Sequence, residues 1–338
     1  MMIAGSLAMR PAPPAQGAPT GGPTRGAVLE RRLRGDPAQI YYLYLPESAP
    51  PGARLLVSLH GVSRNAREHA ERFARRAERY GVVLVAPLFP HDRFPDYQRL
   101  GREGRGRRAD RVLNRIIAEV ASLTGADARA VYMFGYSGGG QFVHRYAMAY
   151  PERVAAIAVG AAGWYTFPDD RRRYPRGIAG TEGPLGLDLD PDAFLRVPAC
   201  VLVGERDGGR DAELRQSPRI DRQQGETRIE RGRRWVEAMT RAARARGLDT
   251  PYRFQLLPGA DHSFRRCVRR GRMHKAVFEW LLVAAPALQN RFLSTASADT
   301  RPAVRRTGFA ADPSAGLPRP PLESEGRSAE PGSDRRPM

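Results

Sequence analysis

The sequence has almost no lysine: of its 55 basic residues, all but Lys275 are arginine. That sets aside the phosphate-cradling loop of nucleotide hydrolases, which needs a lysine after its last glycine. Cysteine is nearly absent as well. Cys200 and Cys267 build no disulfide framework and lack the C-x-x-C spacing of a zinc or redox site, and Cys200, inside an apolar run, reads as core. No apolar stretch approaches the ~20 residues that a membrane helix needs. Residues 1–9 carry neither the basic flank nor the apolar length of an export signal, so the chain reads as soluble and cytoplasmic, without a membrane span. Nothing calls for a metal or a cofactor.

What is present suffices for one large core. With 338 residues and 41% hydrophobic content, a single α/β domain over residues 27–290 is expected, between a Pro/Gly/Ala-rich leader (1–26) and a Pro-rich tail (291–338), both read as disordered. The formal charge of +19 raises the question of nucleic acid. The arginines, however, are scattered over helix faces, as with Arg72, Arg75, Arg76 and Arg79. The densest cluster, Arg99 to Arg115, has no regular aromatic interleaving for base stacking. Specific nucleic-acid binding is therefore not expected; weak attraction to polyanions is.

Along the chain, strands and helices alternate. Ile40–Leu45 and Arg54–Leu59 read as strands. Apolar positions 66, 70, 73, 74 and 77 make a helical stripe closed by Gly81, and Val82–Ala86 is again a strand. Strand, helix, strand in about 30 residues is a crossover unit and predicts a mostly parallel sheet covered on both faces. Helices at 109–123, 141–150, 229–246 and 273–284 and strands at 131–134, 154–159, 199–204 and 252–257 continue the pattern. Residues 161–197 break it. Their Trp164, Tyr165 and Phe167 either wall a pocket or seal the core below.

The organising stretch is Gly135-Tyr136-Ser137-Gly138-Gly139-Gly140-Gln141, which leaves a strand and opens a helix. Its glycines do not fall in the G-x-G-x-x-G register of a dinucleotide fingerprint. A serine at such an elbow is exposed on strained backbone. Glycines two before and two after it, Gly135 and Gly139, admit a close neighbouring chain, and the amide of Gly138 opens the helix where an oxyanion would form. A base and a carboxylate should follow on later strand ends, in the order serine, acid, histidine. Gly204-Glu205-Arg206-Asp207 and Gly259-Ala260-Asp261-His262 supply them. Of six histidines, His69 reads as the polar side of a surface helix, His91 as loop, and His144 and His274 as helical, leaving His262 as base. Asp207 is the preferred acid over Glu205 and Asp211 because its loop offset allows a turn back toward the histidine. Asp261 should point away. His60-Gly61 ends another strand and offers a second oxyanion amide at Val62. His60, Tyr136 and Trp164 are candidate substrate contacts.

With Leu59-His60-Gly61 and the run from Gly135 through Val143 to Trp164-Tyr165, the sequence over about residues 35–285 resembles α/β-hydrolases, in particular bacterial poly(3-hydroxybutyrate) depolymerase-like and dienelactone-hydrolase-like esterases. The resemblance implies nucleophile Ser137, acid Asp207, base His262, oxyanion amides from Val62 and Gly138, and a small ester as substrate. A peptidase using the same residues, or a non-catalytic polyanion-binding protein of this fold, are the alternatives. The turn here is Ser-Gly-Gly-Gly where Ser-Ala-Gly-Gly is common in that group, a change expected to alter packing behind the serine.

Overall fold

A computed structural model describes residues 23–102, 104–180 and 186–288. The leader lies outside these residues except for its last four, and the whole of the tail (291–338) lies outside them. The chain runs β1 (Val28–Leu33), β2 (Asp36–Tyr44), β3 (Arg54–Leu59), α1 (Ala66–Tyr80), β4 (Val83–Pro87), α2 (Ala109–Thr124), β5 (Asp127–Tyr136), α3 (Gly138–Ala149), β6 (Val154–Gly160), α4 (Pro191–Phe194), β7 (Ala199–Gly204), α5 (Pro218–Gln224), α6 (Arg228–Arg244), β8 (Tyr252–Leu257), α7 (Phe264–Arg269) and α8 (Met273–Glu279). A 3-10 turn, Tyr97–Arg99, precedes α2, and α8 continues into a π-helical turn, Trp280–Ala284.

The strands form one sheet in the order β1-β2-β4-β3-β5-β6-β7-β8. From β4 to β8 every pairing is parallel, while β1 and β2 are antiparallel additions at one edge. The expected mostly parallel sheet is thus present, with an edge strand, β1, that sequence pattern did not reveal. Its Glu30, Arg31 and Arg32 break the apolar alternation, as suits a sheet edge that must discourage further pairing. Successive side chains in the central strands go to opposite faces. Leu55, Val57 and Val85 pack with Phe142, Val143 and Trp235 from α3 and α6, whereas Leu56, Leu84 and Phe134 pack with Phe73, Val277 and Phe278 from α1 and α8. Both faces are covered, which is why these strands read as continuous apolar runs. No helix among the described residues is long and apolar enough to cross a membrane.

Parallel pairing brings all the strand exits to one side. Leu59 lies opposite Gly135, Tyr136 opposite Gly160, and Gly204 opposite Leu257. The residues that follow these positions therefore gather along one sheet edge, where α/β sheets hold their sites.

Candidate active site

Ser137 occupies the turn from β5 into α3 with φ 52° and ψ −113°, outside the helical region and uncommon for a residue with a side chain. The close approach that this turn requires is visible on both sides. A Cβ on Gly135 would stand 2.2 Å from the carbonyl oxygen of Gly139, and one on Gly139 would stand 2.2 Å from that of Leu59. At Gly138 the space is taken by the Tyr97 hydroxyl, 2.6 Å from where a Cβ would be. That hydroxyl donates to the His60 carbonyl at 2.9 Å. The first glycine of the Ser-Gly-Gly-Gly turn thus has a local reason: an alanine after the serine would displace Tyr97.

The three side chains from separate strand ends meet in one line of hydrogen bonds. His262 Nε2 is 3.2 Å from Ser137 Oγ, and His262 Nδ1 is 2.8 Å from Asp207 Oδ2. Asp207 is buried, and its other oxygen accepts from Arg228 Nη1 at 3.0 Å. Arg228, also buried, holds Asp211 in a two-pronged pair at 2.5 and 2.8 Å. These hydrogen bonds from Arg228 hold the Asp211 carboxyl down to about 2. The neighbouring carboxylates have other tasks. Glu205 accepts from the Gly259 amide at 2.9 Å, and the Arg206 amide donates to the Ala260 carbonyl at 2.8 Å, so the loops carrying Asp207 and His262 are laced together. Asp261 turns away to Arg266 at 2.7 Å.

Val62 and Gly138 adjoin: Val62 Cγ1 lies 3.4 Å from where a Gly138 Cβ would stand. Neither backbone amide donates to another group among the described residues. Gly138 also opens a 12-residue helix, whose positive end favours developing negative charge. A hydroxyl held by an imidazole beside two free amides can lose its proton while attacking a carbonyl, with donors ready for the oxygen that becomes charged.

Several candidates lie elsewhere than expected. His60 is fully buried, its Nδ1 donating to the Gly61 carbonyl at 2.8 Å and its Nε2 accepting from the Phe89 amide at 3.0 Å, so its ring is not a substrate contact. It fixes the loop that carries Val62. Tyr136 is also buried; its ring stacks against the His262 imidazole at 5.5 Å between centroids, and its hydroxyl faces Cys267 Sγ at 3.6 Å, so it supports the histidine from below. Trp164 is only 5% exposed, and its ring is in contact with two guanidinium groups, those of Arg99 and Arg145. Tyr165 and Phe167 seal the core. Within the irregular stretch, that resolves two of the three rings in favour of packing.

The surface placement expected of His69 is also overturned. It is fully buried, bonded through Nδ1 to Ser58 Oγ at 2.9 Å, and stacked on Phe264 at 3.9 Å. The polar character of α1 around it disguised an inward position. His144 is likewise buried, between the Gly140 carbonyl and the Thr166 amide. Missing from the sequence reading altogether were Arg228, Arg145 and Tyr97. Arginines are so frequent in this chain that no single one stood out.

Three buried neutral histidines have a consequence in acid. Burial lowers the His60 pKa to about 4 and puts His69 and His144 well below their ordinary value. In the unfolded chain each takes a proton near pH 6.5, so their contribution is complete above that pH and drains away as the pH falls toward about 4. For His60 alone the loss is about 3 kcal/mol at about 1.4 kcal/mol per pH unit. Urea midpoints should therefore fall steadily from about pH 6.5 to 4, above the range where carboxylates such as Asp211 protonate. A midpoint flat across that window would contradict the buried neutral assignment.

No protein-family model matches the chain, and no curated protein matches it. Solved structures do. LpqC, a poly(3-hydroxybutyrate) depolymerase from Bordetella parapertussis, is 29% identical, with 72% of this chain and 83% of that one covered at a TM-score of 0.60. Poly(aspartic acid) hydrolase-1 from Sphingomonas sp. KT-1 is 22% identical over 75% of this chain and 98% of that one, TM-score 0.64. An S-formylglutathione hydrolase from Agrobacterium tumefaciens is 17% identical over 75% and 94%, TM-score 0.50. The last two share the fold; the first adds sequence likeness to it. Together with the eight-stranded sheet and its serine elbow, these likenesses make the chain a hydrolase of the α/β-hydrolase superfamily, which includes poly(3-hydroxybutyrate) depolymerase-like members.

Proposed function

We propose that the protein cleaves carboxylic esters through an acyl-enzyme on Ser137, with His262 as general base and acid and Asp207 as its partner. The observation that carries this reading is the unbroken line from Ser137 Oγ through the imidazole to a buried carboxylate. As the Ser137 oxygen bonds to the ester carbonyl carbon, His262 Nε2 takes its proton and the carbonyl electrons move onto oxygen, where the amides of Val62 and Gly138 receive them. Asp207 keeps the Nδ1–H tautomer in place and stabilises the imidazolium. Collapse of the tetrahedral species breaks the bond to the alcohol, which leaves with the proton from His262. A water, deprotonated by the same imidazole, then attacks the acyl carbon, and Ser137 is restored as the acid departs. No metal is invoked in these steps.

Ester preference has a direct test. A short p-nitrophenyl ester and the p-nitroanilide of the same acid, assayed side by side, should show turnover of the ester and little of the amide. Equal kcat/KM for the two would move the reading to a peptidase. Turnover of neither, with the chain folded, would favour a binding protein on this scaffold.

A further inference from the structure

Arg145, about two helical turns beyond Ser137 on α3, and Arg99 form a pair of cations short of counter-ions. Arg145 is fully buried and donates only to neutral oxygens: Thr166 Oγ1 at 2.9 Å, the Gln98 carbonyl at 2.6 Å, and the carbonyl and Oε1 of Gln141 at 3.4 and 3.3 Å. Its Nη2 is buried with no hydrogen-bond partner, and so is Nε of Arg99. The two guanidinium carbons lie 4.4 and 5.5 Å from the centre of the Trp164 ring, Arg145 the nearer. Like charges have been brought together here around one indole, and Arg215 adds a third close enough to disfavour the charge on Arg99. The nearby carboxylates are shared or spent: Asp96, which favours the charge on Arg99, already pairs with Arg102 and Arg105, and Asp110 pairs with Arg108 and the Tyr150 hydroxyl. Burial without a counter-ion lowers the Arg145 pKa to about 10.

Such an arrangement is costly unless something anionic completes it, because a buried guanidinium loses hydration at every N–H and its idle donor recovers none of that loss. Its position says what that is. Gln141, whose carbonyl and amide oxygens Arg145 holds, follows Ser137 by one turn, about 5.4 Å along the axis. Tyr97, two residues before Arg99, is the side chain that fills the space beside Gly138. The cations therefore border the site on the side of the oxyanion amide. We infer that Arg99 and Arg145, both against the Trp164 ring, form a subsite for a carboxylate carried by the substrate, a few carbons from the scissile ester. The inference rests on the ester-hydrolase reading for where the reacting carbonyl lies, and it names the substrate class: half-esters of short dicarboxylic acids, or acidic chains presenting a carboxylate at that spacing.

The test compares mono-p-nitrophenyl glutarate with p-nitrophenyl butyrate, and separately measures glutarate binding to the Ser137→Ala protein by calorimetry. Expected is a kcat/KM favouring the anionic ester by about tenfold or more at low salt, shrinking at about 0.5 M NaCl as the field is screened. Arg99→Gln should cut that ratio by about tenfold, mainly through KM, and should abolish glutarate binding in the Ser137→Ala background. Arg145→Gln, at a buried position, is informative only where circular dichroism shows it folded; Arg99 carries the test. Ester turnover with a ratio near one that Arg99→Gln leaves in place, and no glutarate binding, would overturn the subsite while leaving the hydrolase reading intact. Arg99-dependent glutarate binding without turnover of either ester would do the reverse.

Discussion

Ser137→Ala should lower kcat on a short p-nitrophenyl ester by a factor on the order of 10^4 to 10^6 while leaving the melting temperature within a few degrees of the parent. The loss is that large because the hydroxyl is the only atom that forms the proposed acyl bond, and water has no comparably held substitute. His262→Ala should cost about as much, and the double variant little more than either alone, since base and nucleophile act as one unit. Additive losses, each multiplying the other, would mean that the two side chains 3.2 Å apart work in separate steps. Steady-state kinetics with active-site titration checks all three.

Gly139→Ala should abolish activity by a different route, through the backbone. Its Cβ would stand 2.2 Å from the Leu59 carbonyl oxygen and 2.5 Å from that of His60, and both are main-chain atoms with no rotamer to swing aside. Either β3 and the loop carrying Val62 move away, or the elbow does. Overpacking of this kind costs about 3 kcal/mol or more, which for a domain of this size lowers the melting temperature by roughly 10 °C. A Gly139→Ala protein of parental stability and activity would mean that β3 and α3 are not in the close contact described.

The contrast between these two predictions reflects what sequence could and could not convey. The alternation of strand and helix was legible because central parallel strands are apolar throughout and helices such as α1 end on a glycine at C′, here Gly81 with φ 59°. The elbow was legible because its glycines answer steric needs at fixed offsets from a serine. Asp207 and His262 could be picked out because parallel strands deliver their exits to one edge, so position at a strand end stands in for position in space. Burial of a polar group on an amphipathic helix is different. His69 reads as surface from its neighbours Arg67, Glu68, Glu71 and Arg72, and only the approach of Phe264 at the start of the sequence-distant α7 shows that it faces inward. The same holds for His60, whose ring is claimed by the Phe89 amide across two strand ends. Arg228 was hidden by abundance: in a chain of so many arginines, nothing local marks the one that reaches back to Asp207 and Asp211. Edge strand β1 was hidden by the charges that protect it.

Arg228 also bears on the chemistry. Its guanidinium shares Asp207 with His262, so the carboxylate is held from both sides in a setting only a few per cent exposed. That keeps one oxygen aimed at Nδ1 and removes the freedom to rotate toward Asp211, which has its own pair of bonds to Arg228.

The central claim, that one serine is made nucleophilic by the line reaching to Asp207, is tested most directly by covalent labelling. A fluorophosphonate probe reacts at a hydroxyl only when a base takes its proton and donors receive the charge on phosphorus-bound oxygen. Intact mass followed by peptide mapping should give a single adduct on Ser137, absent from Ser137→Ala and strongly slowed in His262→Ala. A folded protein that stays unlabelled, or that labels at full rate without His262, would contradict it.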